Sequence, residues 1–273
     1  TFNSFLQSTG KQIYKSRKGT VGLMNSEYFG ELSIVGMKGT EKFLSNVDWY
    51  LKQWRKDEER ETFLVDADCP RFGTGEAKGI IHETMRGHDT YIFVDPFNYS
   101  VKYNMYGMQV PMSPDDHFQD LKRIICAIGG KARRISVIMP MLYEGRQHNR
   151  TARESLDSAL ALQELTNMGV ENIITFDAHD PRVQNAIPLK GFETVQPIYQ
   201  FIKYLLKNET ELQIDSDHMM VISPDEGGMG RAVYFANVLG LDMGMFYKRR
   251  DYTKIVNGRN PIAAHEFLGS SVE

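Results

Sequence analysis

Between Thr90 and Phe176 short apolar runs alternate with helical periods, and this alternation restricts the fold more than any other feature of the sequence. The runs Thr90–Val94, Ile135–Met139 and Asn172–Phe176 read as strands, the last two buried on both faces. Two helices separate them. The first is announced by Ser113-Pro114-Asp115-Asp116. Serine can cap, proline suits the first helical position, and the aspartates favour the positive end of the helix dipole. Phe118, Leu121, Ile125 and Ile128 then recur at helical spacing, and Gly129-Gly130 ends the segment. The second helix is predicted over Arg153–Met168, with Leu156, Leu160 and Leu165 near one face and Gly169 at its end. Strand, helix, strand, helix, strand implies a parallel sheet with helices packed on it. Upstream, Asn46–Lys56 reads as a helix with Val47, Tyr50, Leu51 and Trp54 on one face, and Thr62–Val65 as a strand. The first forty residues have weak periodicity and receive no assignment.

The pattern then restarts. Pro197–Leu206 and Gly230–Leu239 read as helices, Met219–Ser223 and Met243–Tyr247 as strands, and His265-Glu266 falls in a returning strand. The boundary is placed near Val195, giving a first domain over 1–195, with 1–45 unplaced within it, and a second over 196–273. Two domains of ordinary size suit 273 residues. With 41% apolar and 25% charged residues, a sizeable core is expected rather than disorder. A net charge of -3 supplies no global basic field, so nucleic acid is not an expected partner. Cys69 and Cys126 are too few for a disulfide framework or a cysteine-rich zinc site. Thr1–Gly22 has no long apolar run, and no stretch approaches the roughly 20 apolar residues a membrane span needs. A soluble, cytoplasmic protein without a membrane partner is expected.

In open parallel sheets ligands bind beyond the carboxyl ends of the strands. Four such places carry chemistry here. After Met139, Arg146, Arg150 and Arg153 cluster; forked guanidinium donors suit phosphate, and a solvated loop is also arginine-rich. After Phe176 comes Asp177-Ala178-His179-Asp180; carboxylate and imidazole can hold a divalent ion or its water shell, or simply cap the loop. After Ser223, the segment Pro224-Asp225-Glu226-Gly227-Gly228-Met229-Gly230 offers backbone N–H groups to an anion at a helix start, or an ordinary turn. Asp225 there suits a metal or sugar hydroxyls. The Lys-Ser/Thr tail of a Walker loop is missing. After Tyr247, Lys248-Arg249-Arg250 is a polyphosphate clamp or a solvated charge run.

Taken together these segments resemble the ribose-phosphate pyrophosphokinase family from about Cys69 to Glu273. Ser223-Pro224-Asp225-Glu226-Gly227-Gly228 is close to the family's Ser-Pro-Asp-x-Gly-Gly, Arg146-Gln147 matches its Arg-Gln, and Asp177-Ala178-His179 its Asp-Leu-His. Lys248-Arg249-Arg250 matches the start of its flexible catalytic loop. Phe72-Gly73-Thr74-Gly75-Glu76 resembles its Phe-Ser-Asn-x-Glu. The resemblance implies two tandem phosphoribosyltransferase-like α/β domains with mainly parallel sheets, in a homo-oligomer, a dimer or hexamer. It implies ATP and ribose 5-phosphate as substrates, Mg2+ as cofactor, and transfer of a diphosphoryl group to give phosphoribosyl pyrophosphate and AMP. By the same carry-over Phe72 and Glu76 meet adenine from a neighbouring subunit, and Arg146 and Gln147 hold ATP. His179, with Asp177 and Asp225, serves the metal. Asp225, Gly227 and Gly228 form the phosphate and ribose loop, and Lys248 and Arg250 stabilise charge in the transition state.

The sequence departs from the family at several points. Thr74 replaces the usual Asn, and His148-Asn149 follow Arg146-Gln147 where Asp and a basic residue are usual. Family members also continue into an acidic Asp-Asp loop, with Thr and Gly, that binds the ribose phosphate. That loop is not among these 273 residues, so the second domain is expected to be incomplete here. The alternatives are a catalytically silent, nucleotide-binding or regulatory relative and, more remotely, a phosphoribosyltransferase on the same fold.

Overall fold

A computed structural model describes residues 29–55, 61–209, 211–250, 253 and 262–269. The chain divides into two compact units between Gln196 and Pro197.

The first unit carries strands β1 (Leu32–Gly36), β2 (Leu64–Val65), β3 (Ala67–Asp68), β4 (Ile80–Ile81), β5 (Asp89–Phe93), β6 (Lys102–Met105), β7 (Met108–Pro111), β8 (Arg134–Met139), β9 (Asn172–Phe176) and β10 (Gly191–Val195). Its helices are α1 (Glu41–Arg55), α2 (Pro114–Ile128) and α3 (Asp157–Asn167). Six strands form one sheet in the order β10-β9-β8-β5-β1-β2, with every pair parallel. Neighbouring residues of a strand point to opposite faces, and both faces here are covered. Val35, Ile92, Val137 and Ile173 pack with Phe118, Leu121, Ile124 and Ile125 of α2 and Leu162 and Leu165 of α3. On the other face Ile34, Phe93 and Ile138 meet Leu44, Val47 and Leu51 of α1.

The caps of α2 are those the sequence implies. The Ser113 side chain accepts from the Asp116 amide, the Asp116 carboxylate accepts from the Ser113 amide, and Gly129 closes the helix at φ 63°. Two helical faces differ from expectation. In α1 the buried residues are Leu44 and Asp48, while Tyr50 and Trp54 are exposed. The helix begins at Glu41, and Asp48 is drawn inward because its carboxylate accepts the Phe63 amide at 2.7 Å. Lys56, the expected last residue, lies outside the described residues. In α3 the buried set is Ser158, Ala161, Leu162 and Leu165, and Leu160 is 58% exposed.

The second unit contains α4 (Ile198–Asn208), β11 (Met220–Ser223), α5 (Met229–Leu239), β12 (Asp242–Arg250) and β13 (Ile262–Leu268). β12 pairs in parallel with β11 and antiparallel with β13, which is the returning strand expected around His265-Glu266.

Both cysteines are free thiols. Burial, reinforced by Asp120, pushes the Cys69 thiol up to about 12, while Cys126 is exposed on α2. The thiolate is the reactive form. Iodoacetamide at neutral pH is therefore expected to label Cys126 and spare Cys69 in the folded protein and to label both in denaturant. Equal labelling rates by peptide mass spectrometry in the native state would contradict this placement.

Candidate functional site

Because all six strands of the first sheet are parallel, their carboxyl ends share one edge, and the expected loops leave from it. The β8 loop runs into a tight turn at Tyr143–Arg146, where Glu144 sits at φ 55°. Tyr143 pins this turn. Its ring stacks on Phe118 at 4.2 Å, and its hydroxyl donates to Asp115 at 2.6 Å. Burial and the Asp115 acceptor both push the Tyr143 hydroxyl pKa up. Arg146 is exposed. The Gln147 amide group donates to the carbonyls of Ser155 at 2.9 Å and Asn149 at 3.3 Å, bracing the loop from within.

The β9 loop begins at Asp177, whose φ of 46° is left-handed. Its amide donates to the Val195 carbonyl at 3.0 Å, and the Ala178 amide donates to the Thr194 hydroxyl at 2.9 Å, so the end of β10 fixes this bend. Aspartate is one of the few residues besides glycine that adopt this conformation readily, because its short polar side chain can hydrogen-bond locally. Asp180 then caps a short 3₁₀ turn over Pro181–Ala186. Hydrogen bonds from the Arg182 side chain and amide hold its carboxyl well below the usual carboxylate range.

The two loops meet. His148 Nδ1 lies 3.2 Å from an Asp180 oxygen, and the rings of His148 and His179 are 5.3 Å apart. Sequence reasoning gave His148 and Asp180 no role. The Asp180-Pro181 pair is a cap followed by proline, the same signal that located α2, and it could have marked Asp180 as the end of the loop.

Phe72 and Glu76 lie in a hairpin after β3, which follows the edge strand β2 in the chain, with β1 and β5 between β2 and β8 in the sheet. Arg71 and Ala77 pair across its base, the Phe72 amide donates to the Glu76 carbonyl at 2.7 Å, and Phe72 is 55% exposed. The Thr74 hydroxyl, in the position where Asn is usual, donates to the Glu76 carboxylate at 3.0 Å.

In the second unit Asp225 precedes a 3₁₀ turn over Glu226–Gly228 that leads into α5. Its Oδ1 accepts the Gly228 amide at 3.1 Å, and the Ser223 hydroxyl donates to its carbonyl at 2.6 Å. A Cβ at Gly228 would stand 2.8 Å from the Ser223 Oγ, so a larger residue there would have to displace the hydroxyl that bonds the Asp225 carbonyl. Lys248, Arg249 and Arg250 end β12, with a register shift between the last two; their side chains lie outside the described residues.

Among the described residues no three His, Cys, Asp or Glu side chains gather as a ready ligand set. Magnesium is usually held by one or two carboxylates, several waters and substrate phosphates. Asp177 with His179, and separately Asp225, fit an ion that arrives with phosphate better than a preformed protein cage. No described helix is long and apolar enough to cross a membrane.

The sequence profile of the N-terminal domain of ribose phosphate pyrophosphokinase matches residues 32–169. A ribose-phosphate pyrophosphokinase of Thermosipho africanus is 29% identical over 208 residues, which are 75% of this chain and 60% of that protein. Another, from Staphylococcus saprophyticus, is 26% identical over 248 residues, 89% of this chain and 68% of that protein. An Aquifex aeolicus relative of the same name is matched over only 54% of its length. The phosphoribosylpyrophosphate synthetase of Mycobacterium smegmatis has a similar fold, with a TM-score of 0.67 at 18% identity, covering 88% of this chain and 67% of that one.

Proposed function

This chain belongs to the ribose-phosphate pyrophosphokinase family, and on that premise we propose that it transfers the diphosphoryl group of ATP to the anomeric hydroxyl of ribose 5-phosphate. The observation that carries the reading is the meeting of the β8 and β9 loops through His148, His179 and Asp180. It sets Arg146 and Gln147, read as ATP-binding, beside the loop of Asp177 and His179, read as serving magnesium.

In this reaction the anomeric oxygen attacks the β-phosphorus of ATP. The bond from that phosphorus to the oxygen shared with the α-phosphate breaks, AMP leaves with the electron pair, and the hydroxyl proton is lost. Phosphoryl transfer of this kind depends on positioning and on neutralising charge. Magnesium, when bound, supplies part of that neutralisation. Arg146 supports the nucleotide phosphates, and Gln147 keeps the loop in shape. Phe72 offers its exposed ring to adenine, and Glu76 accepts from the exocyclic amine. Asp225 meets the sugar or the metal, and the turn at Gly227-Gly228 lets backbone approach a phosphate. Lys248 and Arg250 stabilise the charge that develops on the transferred group. The family's homo-oligomeric assembly, in which Phe72 and Glu76 serve a neighbouring subunit, and a cytoplasmic location belong to the same reading.

The test is incubation of the purified chain, alone and with any native continuation, with ATP, magnesium and ribose 5-phosphate. AMP and phosphoribosyl pyrophosphate in equal amounts by mass spectrometry are expected from the longer form. No AMP from either form, with a melting temperature still raised by ATP, would replace the reading by that of a silent relative. No ATP binding at all would remove the assignments of Phe72, Glu76, Arg146 and Gln147.

A further inference from the structure

The hairpin that presents Phe72 and Glu76 is fastened to the domain at its tip and at its base, and is braced from within. At its tip the Tyr106 amide, from the turn between β6 and β7, donates to the Gly73 carbonyl at 2.9 Å. Inside it, the Gly75 amide donates to the Phe72 carbonyl at 2.9 Å, with Gly75 at φ 93°, where an added Cβ would stand 2.9 Å from the Met105 Sδ. At its base stands Arg71. One guanidinium nitrogen donates to Asp120 of α2 at 2.7 Å and another to the Gly75 carbonyl at 3.3 Å, while the group lies over the Tyr103 ring at 4.6 Å. Arg123 donates to the other Asp120 oxygen at 2.6 Å. The Arg71 side chain is 9% exposed and that of Asp120 is 6% exposed.

The Asp120 carboxylate is buried and serves two guanidiniums. A buried charge survives only when paired and hydrogen-bonded, and here one carboxylate is divided between two guanidiniums. One of them, Arg123, is only three residues away on the same helix and orients Asp120. The other reaches out of the helix to a loop. Because Arg71 bonds both Asp120 and the carbonyl of Gly75, its planar fork fixes the hairpin's base and its interior at once. A lysine has the charge but no fork. Arg71 precedes Phe72 directly, so its anchoring sets the direction in which the ring leaves the surface. Just past the hairpin, a Cβ at Gly79 would stand 2.5 Å from the Arg123 carbonyl, so the returning strand also presses against α2.

We propose that Arg71 and Asp120 are positioning residues for nucleotide base recognition: their buried pair holds the hairpin on α2 so that Phe72 and Glu76 meet the adenine of ATP. This rests on the reading of Phe72 and Glu76 as adenine contacts. Neither Arg71 nor Asp120 touches the nucleotide in this account.

The test compares Arg71→Lys, Arg71→Gln and Asp120→Asn with the parent chain, below the melting temperature of each. Two ligands are titrated by calorimetry, ATP and inorganic tripolyphosphate, and amide hydrogen exchange is followed at 72–77. The pair's loss is expected to weaken ATP by about tenfold, the scale of one well-made contact, and to leave tripolyphosphate unchanged because it carries no base. Exchange should rise at 72–77 and stay unchanged in β5 and β8. Arg71→Lys should resemble Arg71→Gln more than the parent, because the fork is what matters. If Asp120→Asn does not fold, the two Arg71 variants decide. Unchanged exchange at 72–77 would overturn the anchoring. Raised exchange with unchanged ATP affinity would overturn the link to the base, as would equal weakening of ATP and tripolyphosphate. Absence of ATP binding to the parent would also overturn it. Failure of the parent to form AMP, with ATP still bound, would count against the proposed reaction alone.

Discussion

Replacing Lys248 and Arg250 together by alanine is expected to lower AMP formation by at least about 10²-fold, with ATP affinity changed far less. The argument is one of differential binding. A cation that meets charge only as it develops on the transferred group lowers the barrier without tightening the ground state, so its loss falls on kcat rather than on KM. The two residues end β12, whose ladders to β11 and β13 are made by backbone groups. Removal of two side chains leaves those bonds in place. Circular dichroism of the double variant should therefore match the parent, and steady-state kinetics with saturating magnesium should show kcat falling at nearly constant KM for ATP. Undiminished turnover would remove both residues from the proposed chemistry. A rise in KM with unchanged kcat would reassign them to ground-state phosphate binding.

The parallel core of the first unit was legible because its strands and helices announce themselves by local chemistry. Ser113, Pro114 and Asp116 form a cap that needs no tertiary context, and Gly129 supplies the αL residue that closes the helix. Elements without such punctuation escaped. β1 is only Leu32–Gly36, and its three central residues, buried in succession, show no alternation. The hairpin of β6 and β7 turns at Tyr106-Gly107 with φ of 50° and 80° at the two positions. That geometry usually selects Asn-Gly or Asp-Gly, and tyrosine hides it. The candidate site divides in the same way. Residues that follow a strand, such as Arg146, Asp177 and Asp225, were identifiable as candidates because topology names the place where ligands bind. Arg71 and Asp120 were not, since a buried ion pair between residues 49 apart has no local signature.

Leu160 and Leu165 of α3 separate a prediction made from spacing from one made from packing. Leu156, Leu160 and Leu165 follow one another at intervals of four and five, a stripe that drifts around a helix of 3.6 residues per turn. The buried set Ser158, Ala161, Leu162 and Leu165 follows the i, i+3, i+4, i+7 pattern of a face against a sheet. Leu165→Ala is therefore expected to destabilise the first unit by about 2–5 kcal/mol, because Leu165 is fully buried and the space left cannot fully close. Leu160→Ala, on the exposed side, is expected to stay within about 0.5 kcal/mol of the parent. Urea unfolding can be read selectively here, since the chain's two tryptophans, Trp49 and Trp54, both lie in α1 of the same unit. The consequence reaches the site as well. Leu162 and Leu165 hold α3 in the core, and the loop bearing Arg146 and Gln147 is tied to the start of that helix by the Ser158 amide, which donates to the Gln147 carbonyl at 3.3 Å. Weakening the Leu165 contact should thus raise amide exchange in the 143–156 loop before it raises exchange in β5. Equal losses from the two substitutions would mean that α3 meets the sheet in a different rotation.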